Sequence, residues 1–511
     1  PARRPRAHAG NRVYRHRLDT HAPPAPPTKP IDPTDLHSPV PALRPDPSPT
    51  PQPECEPVPR PGPPPADLIR SWASDRPLAA WCWQGDDAAR PTVRLAAPAE
   101  SIALAPAPDA LEQLDRLLAR PKPTRGPAHR AAGWLVLLDY DLTRLTEPRL
   151  EASRHPSNAG PVAELHRIEG SLRLDPDDDP DDSPDDNPHD NPHETDRQPR
   201  WTIAQEGAAP DISDAPSPCA APAYTLAPLT SELDGAPPTY ADAVRRALAY
   251  IRAGDIYQVN LTHALRAPFA GSARALFADL FGSTLPRHGV YLESPSDAPG
   301  PRRAIASISP ELFLEITPDR LARTRPMKGT RPLDADPAEL LHAEKDHAEL
   351  AMIVDLMRND LGRLAIPGTL RVRTPRALER HDAGVLQATA TVEARLRTAR
   401  PSDLLRAVFP PGSVTGAPKI RAQQIIDELE RTPRGPYCGC LGWFGDDGTI
   451  RLNVAIRTAV IEGTPGAQGH FDAATLTYRV GAGIVADSDP GAEHAETLLK
   501  AGAIARLVNA P

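Results

Sequence analysis

Lys328 lies in Arg325-Pro326-Met327-Lys328-Gly329-Thr330-Arg331, which sets one primary amine between a rigid proline and a flexible glycine, with an arginine on either side. A lysine amine with a pKa near ~10.4 is only about one part in a thousand neutral near neutral pH, so it attacks carbon only where desolvation or nearby cations favour the neutral form. Arg325 and Arg331 are the cations expected to supply that field. Taken alone, the run reads as a basic surface turn. A second signature is acidic: Asp346 and Glu349, and again Glu493 and Glu496, stand three apart in stretches of helical periodicity. Either pair alone is an ordinary solvated helix face, but two pairs on two helices can converge on a hard cation that prefers oxygen ligands.

The elements needed to position these groups are legible in the apolar pattern. Tyr240, Val244, Leu248 and Ile251 recur at helical spacing, and Gly254 follows as a stop. Tyr257, Val259 and Leu261 then alternate with Gln258, Asn260 and Thr262, which predicts a strand with one buried and one polar face. Leu350, Ile353, Val354, Met357 and Leu361 form a helical stripe that leaves Asp346 and Glu349 on another face. Leu476, Tyr478 and Val480 alternate again before Gly481. Strands feeding helices in this way suit a mixed α and β protein.

The chain has 511 residues, more than one hydrophobic core of about 250 to 300 residues usually accommodates, so two lobes or a doubled core are expected. Residues 1–70 hold 21 of the 66 prolines and few large apolar side chains, which predicts a disordered or polyproline-like arm. Residues 71–238 and 239–511 form the rest. The net charge of −9 is local in origin: residues 175–196 carry eleven Asp or Glu, and without them 58 basic face 56 acidic residues. That run lacks the glycine and final glutamate of a calcium loop and reads as a solvated insertion. No basic stripe interleaved with aromatics marks a nucleic-acid partner. The five cysteines are too scattered for a disulfide framework, and neither a signal peptide nor a run of 18 apolar residues is present, so a cytoplasmic protein without a membrane span is expected.

From about residue 240 onward the chain resembles the chorismate-utilising enzymes, the family that includes anthranilate, aminodeoxychorismate, isochorismate and salicylate synthases. The resemblance is carried in order by Gly254 to Leu261, Ser309-Pro310-Glu311, the Lys328 turn, Glu349 to Gly362, Pro411-Gly412-Ser413-Val414-Thr415-Gly416-Ala417-Pro418-Lys419, Gly435-Pro436-Tyr437, Asn453 to Thr458 and Gly481 to Glu496. Gly133 to Leu142 looks like the same family's amino-terminal half. The resemblance implies an α+β fold like that of anthranilate synthase component I, with two packed antiparallel sheets wrapped by helices.

Site roles follow from the same resemblance. Glu311 falls at the family's general-acid position. Glu349 and Glu496, with Glu493 supporting, match its magnesium ligands. Tyr437 and Arg457 match residues that grip the pyruvyl carboxylate, Gly481-Ala482-Gly483 matches a loop whose amides approach the substrate, and Thr415 and Lys500 fall on binding positions. Gln258 stands where water-adding members place a general-base lysine, which argues against isochorismate chemistry. Lys328 replaces the alanine usual in anthranilate, isochorismate and salicylate synthases. It turns the resemblance toward the aminodeoxychorismate synthase branch, which implies a transferase aminating chorismate for para-aminobenzoate and folate synthesis. The alternatives are an anthranilate synthase component I and a catalytically silent chorismate-binding scaffold. Gln387 stands where several relatives carry a histidine, with His381 as a weak substitute. Gly439-Cys440-Leu441-Gly442 and His494-Ala495-Glu496 echo a glutaminase, yet the spacing and Trp443 speak against it, so ammonia is expected from a separate glutamine amidotransferase subunit.

Overall fold

The alternation beginning near Tyr257 continues through a fifteen-residue strand, Gln258–Ser272, paired antiparallel along nearly its full length with a second fifteen-residue strand, His470–Ile484. This ladder is the spine of the first of two sheets in the computed structural model. The structure describes residues 60–62, 64–72, 77–84, 91–119, 132–150, 161–176, 201–207, 224–233, 239–294, 301–333, 335–381, 385–466 and 469–508. Most of the Pro-rich segment and nearly all of the acidic run lie outside them. Described residues all fall within the compact unit Cys55–Pro511.

Among the described residues, the first sheet has thirteen strands and runs, in its middle, through Ala79–Trp83, His288–Glu293, Arg302–Ser309, Thr458–Pro465, His470–Ile484 and Gln258–Ser272. The second has ten, including Met327–Pro332, Val385–Arg395, Leu321–Arg325, Leu312–Ile316, Ile450–Val454, Cys440–Gly445 and Gly133–Leu138. Among the described residues the strand pairings are antiparallel, and residues before 238 supply strands to both sheets: Ala79–Trp83 pairs with His288–Glu293, and Gly133–Leu138 with Cys440–Gly445.

The inner faces meet in an apolar seam. Ala79, Trp81, Val290, Leu292 and Ile305 from the first sheet pack on Leu135, Leu137, Leu441 and Trp443 from the second. Trp81 and Trp443 stack at 5.2 Å with an interplanar angle of 13°. Each large apolar side chain fully buried in such a layer contributes roughly 1.5–3 kcal/mol. Helices close the outer faces: Ala273–Thr284 and Pro65–Ser71 cover the first sheet, and Ala110–Leu118, Glu344–Gly362 and Pro401–Val408 the second. The helix Tyr240–Arg252 starts with a capping box in which Thr239 and Asp242 bond each other's backbone N–H, which fixes its entry before its apolar stripe packs on the long strands.

Three expectations are corrected. Residues at the end of the supposed arm are ordered: Arg60–Gly62 is a strand, and Pro65–Ser71 is a helix started by its proline and held by buried Leu68 and Ile69. Gly481-Ala482-Gly483 is no loop but the continuation of the strand His470–Ile484, in register with Thr262, Leu261 and Asn260. The polar face of the partner strand is buried too, since Gln258, Asn260 and Thr262 all lie below a tenth exposed while Tyr257 projects into solvent.

Candidate active site

Two adjacent crossovers between the sheets create the site. Between Ser309, where one strand of the first sheet ends, and Leu312, where one of the second begins, the chain has only Pro310 and Glu311. It returns through Ala455, Ile456 and Arg457, between Ile450–Val454 and Thr458–Pro465. The crossovers are laced together: Val454 N donates to Glu311 O (3.0 Å), Ser309 Oγ to Val454 O (2.6 Å) and Ile308 N to Arg457 O (3.0 Å). Arg457 takes a left-handed backbone, φ 50°, a strained conformation for a side-chain-bearing residue.

Glu311 is buried, and among the described residues its Oε1 has no hydrogen-bond partner. Burial pushes its pKa up from 4.5 to about 7, opposed by the nearby Ser413 hydroxyl and by the charges of Lys328 and Arg457. A carboxyl so placed is held as an acid near neutral pH. Desolvation lowers the Arg457 pKa from its ordinary value, opposed by Tyr478 and Glu311.

Lys328 reaches across from the second sheet to the first. Its Nζ lies 3.7 Å from Glu349 Oε2, and a methyl group added at Gly483 would come within 2.9 Å of Nζ and 2.6 Å of Gln258 Nε2. The amine, the Gln258 amide and the Gly483 backbone are therefore neighbours. Gly329 makes this reach available by breaking the register between Lys328 and Thr330 at φ 73°. The expected arginine field is not there. Arg325 is paired with Glu379 at 3.2 Å and Arg331 with Asp346 at 2.9 Å, so distant carboxylates offset both cations.

On the far side of the glycine segment, Lys500 Nζ donates to Gly481 O at 2.9 Å and pairs with Glu496 Oε1 at 2.8 Å. Glu493 is buried on the same helix, Pro490–Leu499, and accepts from Ser488 Oγ at 2.6 Å. Among the described residues, no three His, Cys, Asp or Glu side chains group as a metal site. Glu349 and Glu496 are instead each tied through a lysine to the segment Gly481–Gly483. Magnesium retains several waters and needs only one or two protein carboxylates, and Glu349 and Glu496 are the carboxylates that flank the glycine segment.

Thr415 is fully buried, its hydroxyl donating back to Pro411 O and Gly412 O and its carbonyl accepting from Asn260 N at 2.7 Å. Its loop thereby sits against the Gln258 strand. Tyr437 is buried beyond the Gly435 turn, and desolvation drives its pKa well above 10.0. Gln387 faces Thr330 across the ladder, one residue from Ala388, which is opposite Lys328. His381 pairs with Val385 at the end of its hairpin. Sequence reasoning missed Ser413 beside Glu311 and Lys419, which pairs with Asp360 and donates to Val408 O (3.2 Å) and Pro410 O (2.9 Å); both lie inside a motif singled out for Thr415. Cys440 is buried in the second sheet with its thiol pKa pushed far up by desolvation, while His494 packs against Tyr240 and His263, so the glutaminase echo has no nucleophile.

This fold and site define a class: enzymes with two packed antiparallel sheets whose crossovers present a buried acid. The chorismate binding enzyme family model matches residues 79–506, and the chain belongs to that family. It is 41% identical over 278 residues to an anthranilate synthase component 1 of Haloarcula marismortui (53% of this chain, 52% of the relative). It is 39% identical over 273 residues to the aminodeoxychorismate synthase component 1 of Klebsiella aerogenes (52% of this chain, 56% of the relative). The matched region thus spans about half the length of these curated relatives. The fold is similar to that of anthranilate synthase component I from Streptococcus pneumoniae, with a TM-score of 0.63 and 24% identity over 83% of this chain and 94% of that one. It is likewise similar to the menaquinone-specific isochorismate synthase of Escherichia coli, with a TM-score of 0.61 and 18% identity over 88% and 94% of the two chains. Among the described residues, no helix is long and apolar enough to cross a membrane.

Proposed function

We propose that the chain is an aminodeoxychorismate synthase component I, a transferase that converts chorismate and ammonia to 4-amino-4-deoxychorismate in the cytoplasm for para-aminobenzoate and folate synthesis. The observation that carries this reading is the placement of the Lys328 amine beside Gly483, Gln258 and Glu349, with the buried Glu311 carboxyl, its pKa raised to about 7, close enough to feel its charge. Attack requires the neutral amine, so the Lys328 ammonium leaves Glu349 and gives a proton to solvent before the cycle, and the amine released at its end is free to take one back. The amine then forms a bond to ring carbon 2 as the 4-hydroxyl leaves, and Glu311 supplies the proton that makes it water. Ammonia bonds to carbon 4, and the lysine leaves carbon 2 with its electron pair; the proton shed by the incoming ammonia restores Glu311. The net change is chorismate plus ammonia to aminodeoxychorismate plus water.

Arg457, whose fork suits a planar carboxylate, and Tyr437 would hold the pyruvyl group. Thr415, the Gly481-Ala482-Gly483 backbone and Lys500 would line the ring. Glu349 and Glu496, with Glu493, would hold magnesium, which neutralises the ring carboxylate when bound. A glutamine amidotransferase subunit would supply ammonia, since the buried Cys440 thiol is unsuited to do so.

The test is to incubate purified protein with chorismate, magnesium and an ammonium salt and identify the product by mass spectrometry. Aminodeoxychorismate supports the reading, and anthranilate with pyruvate would replace it with the anthranilate synthase reaction. Glutamine should serve only after an amidotransferase is added.

A further inference from the structure

Three segments that line the proposed site come from distant parts of the chain: the Thr415 loop, the Gln258 strand and the Tyr437 turn. One buried residue touches all three. Arg434, 1% exposed, donates from Nη1 to Val414 O at 2.7 Å and from Nη2 to Asn260 O at 2.7 Å. Nη2 also donates to Glu430 Oε1 at 2.6 Å and Nε to Glu430 Oε2 at 3.0 Å, which neutralises the guanidinium. Its plane lies over the Tyr140 ring, 4.6 Å from the centroid, and its own carbonyl accepts from Tyr437 N at 3.3 Å. Val414 precedes Thr415, and Asn260 faces Gly483 across the ladder.

We infer that Arg434 is a positioning residue for chorismate: its guanidinium clasps the Thr415 loop to the Gln258 strand, while its main chain carries the Tyr437 turn beside them. This rests on the proposed chorismate chemistry. An ion pair kept only for stability needs no main-chain acceptors in substrate-lining segments, yet two of this guanidinium's acceptors are such carbonyls. Its five N–H donors in a planar fork are what allow three acceptors to be held at once. Lysine keeps the charge but, as a point charge with three rotatable donors, does not reproduce that geometry. Arg479 provides a comparison that, among the described residues, touches the same strand at Thr262 without reaching the Thr415 loop. It is equally buried and lies 3.5 Å from the same Glu430, but its other acceptors are the Thr432 hydroxyl (2.7 Å), Pro433 O (3.2 Å) and the Thr262 hydroxyl (3.1 Å).

The experiment compares parent, Arg434→Lys and Arg479→Lys by chorismate affinity in titration calorimetry, by kcat and KM with ammonium, and by thermal unfolding. Misplaced binding groups cost about 10- to 100-fold, so Arg434→Lys should weaken chorismate affinity and raise its KM by that factor, with a smaller change in kcat and an unchanged KM for ammonium. Arg479→Lys should lower the unfolding midpoint to a similar degree while holding chorismate affinity within about threefold. Parent-like affinity in Arg434→Lys, or affinity lost equally in both variants, would overturn the inference. Should Arg434→Lys not fold, Glu430→Gln, which loosens both guanidiniums, is read against Arg479→Lys: chorismate binding weakened well beyond that variant supports the clasp, and binding equal to it refutes the clasp. A parent that binds chorismate but releases anthranilate would sink the proposed amination alone, because the Arg434 comparison is read from affinity and not from product.

Discussion

Two lysine–glutamate pairs flank the same glycine segment and live in different media. Lys328 and Glu349 are 3.7 Å apart with side chains 14% and 13% exposed; Lys500 and Glu496 are closer, at 2.8 Å, but 39% and 54% exposed. Distance alone would rank the second pair as stronger. Solvent reverses that ranking, since an exposed ion pair is screened and contributes little, whereas partly desolvated charges feel their neighbours at low effective dielectric. The buried side also holds Glu311, the carboxyl whose pKa burial raises to about 7. The proposed chemistry is therefore placed on the Lys328 side and the proposed grip on the Lys500 side.

The comparison breaks most decisively at Lys328. With ammonia omitted, the parent should accumulate a covalent adduct of mass chorismate minus water on the peptide spanning Arg325 to Arg331. Lys328→Ala and Lys328→Arg should form none, because a guanidinium stays protonated and is no nucleophile. Normal aminodeoxychorismate synthesis by Lys328→Arg would confine this residue to electrostatics and erase the distinction between the two lysines.

Glu311→Gln should reduce turnover by about 10² to 10⁴, the usual contribution of a positioned acid. In the parent, the acid limb should be intact below pH 7 and fall as pH rises through about 7, where the folded carboxyl ionises. Stability runs with a definite sign. The folded pKa lies above the ordinary 4.5, so the folded state binds the proton more tightly, and stability declines from pH 4.5 to about 7 before levelling off. Glu311→Gln removes that penalty and should raise the thermal midpoint at pH 8 by about a few degrees, with no gain below pH 4.5. A parent and variant with the same midpoint at both pH values would place Glu311 in water after all.

Alanine at the two glycines separates grip from chemistry on a smaller scale. At Gly483 the added methyl meets only side-chain tips, Gln258 Nε2 and Lys328 Nζ, so Gly483→Ala should fold normally and lose about 10- to 100-fold in kcat by displacing the amine. At Gly481 it meets Leu261 O at 2.6 Å, a backbone atom that cannot swing away, so Gly481→Ala should show its main effect in unfolding temperature. Kinetics and melting curves for both check the contrast.

The smallest effect is expected at the exposed pair. Lys500→Gln should change stability by less than ~1 kcal/mol in denaturant titration. Glu496→Gln should raise the magnesium concentration needed for half-maximal turnover without altering the melting curve. Equal activity in excess chelator would remove the metal from the scheme.

Much of this site was legible because its residues sit in short ordered motifs whose chemistry is local: Glu311 after Ser309-Pro310, Lys328 before Gly329, Glu349 on its helix. The arginine field failed because Glu379 and Asp346, which offset Arg325 and Arg331, arrive from a different strand and a helix. The glycine loop failed for a related reason: three small residues look like a turn until a partner strand supplies Asn260, Leu261 and Thr262 in register. The buried polar face of Gln258 to Thr262 was hidden likewise, since alternation marks two faces but not what covers the second. Arg434 carried no signal because its value lies wholly in carbonyls brought to it by folding.

Lys328 and Gly483 belong to different sheets, and what holds those sheets together elsewhere is the seam containing the Trp81–Trp443 stack. Any slip of one sheet on the other must disturb that stack, to which each sheet gives one indole, and with it the span that Lys328 crosses to reach Gly483.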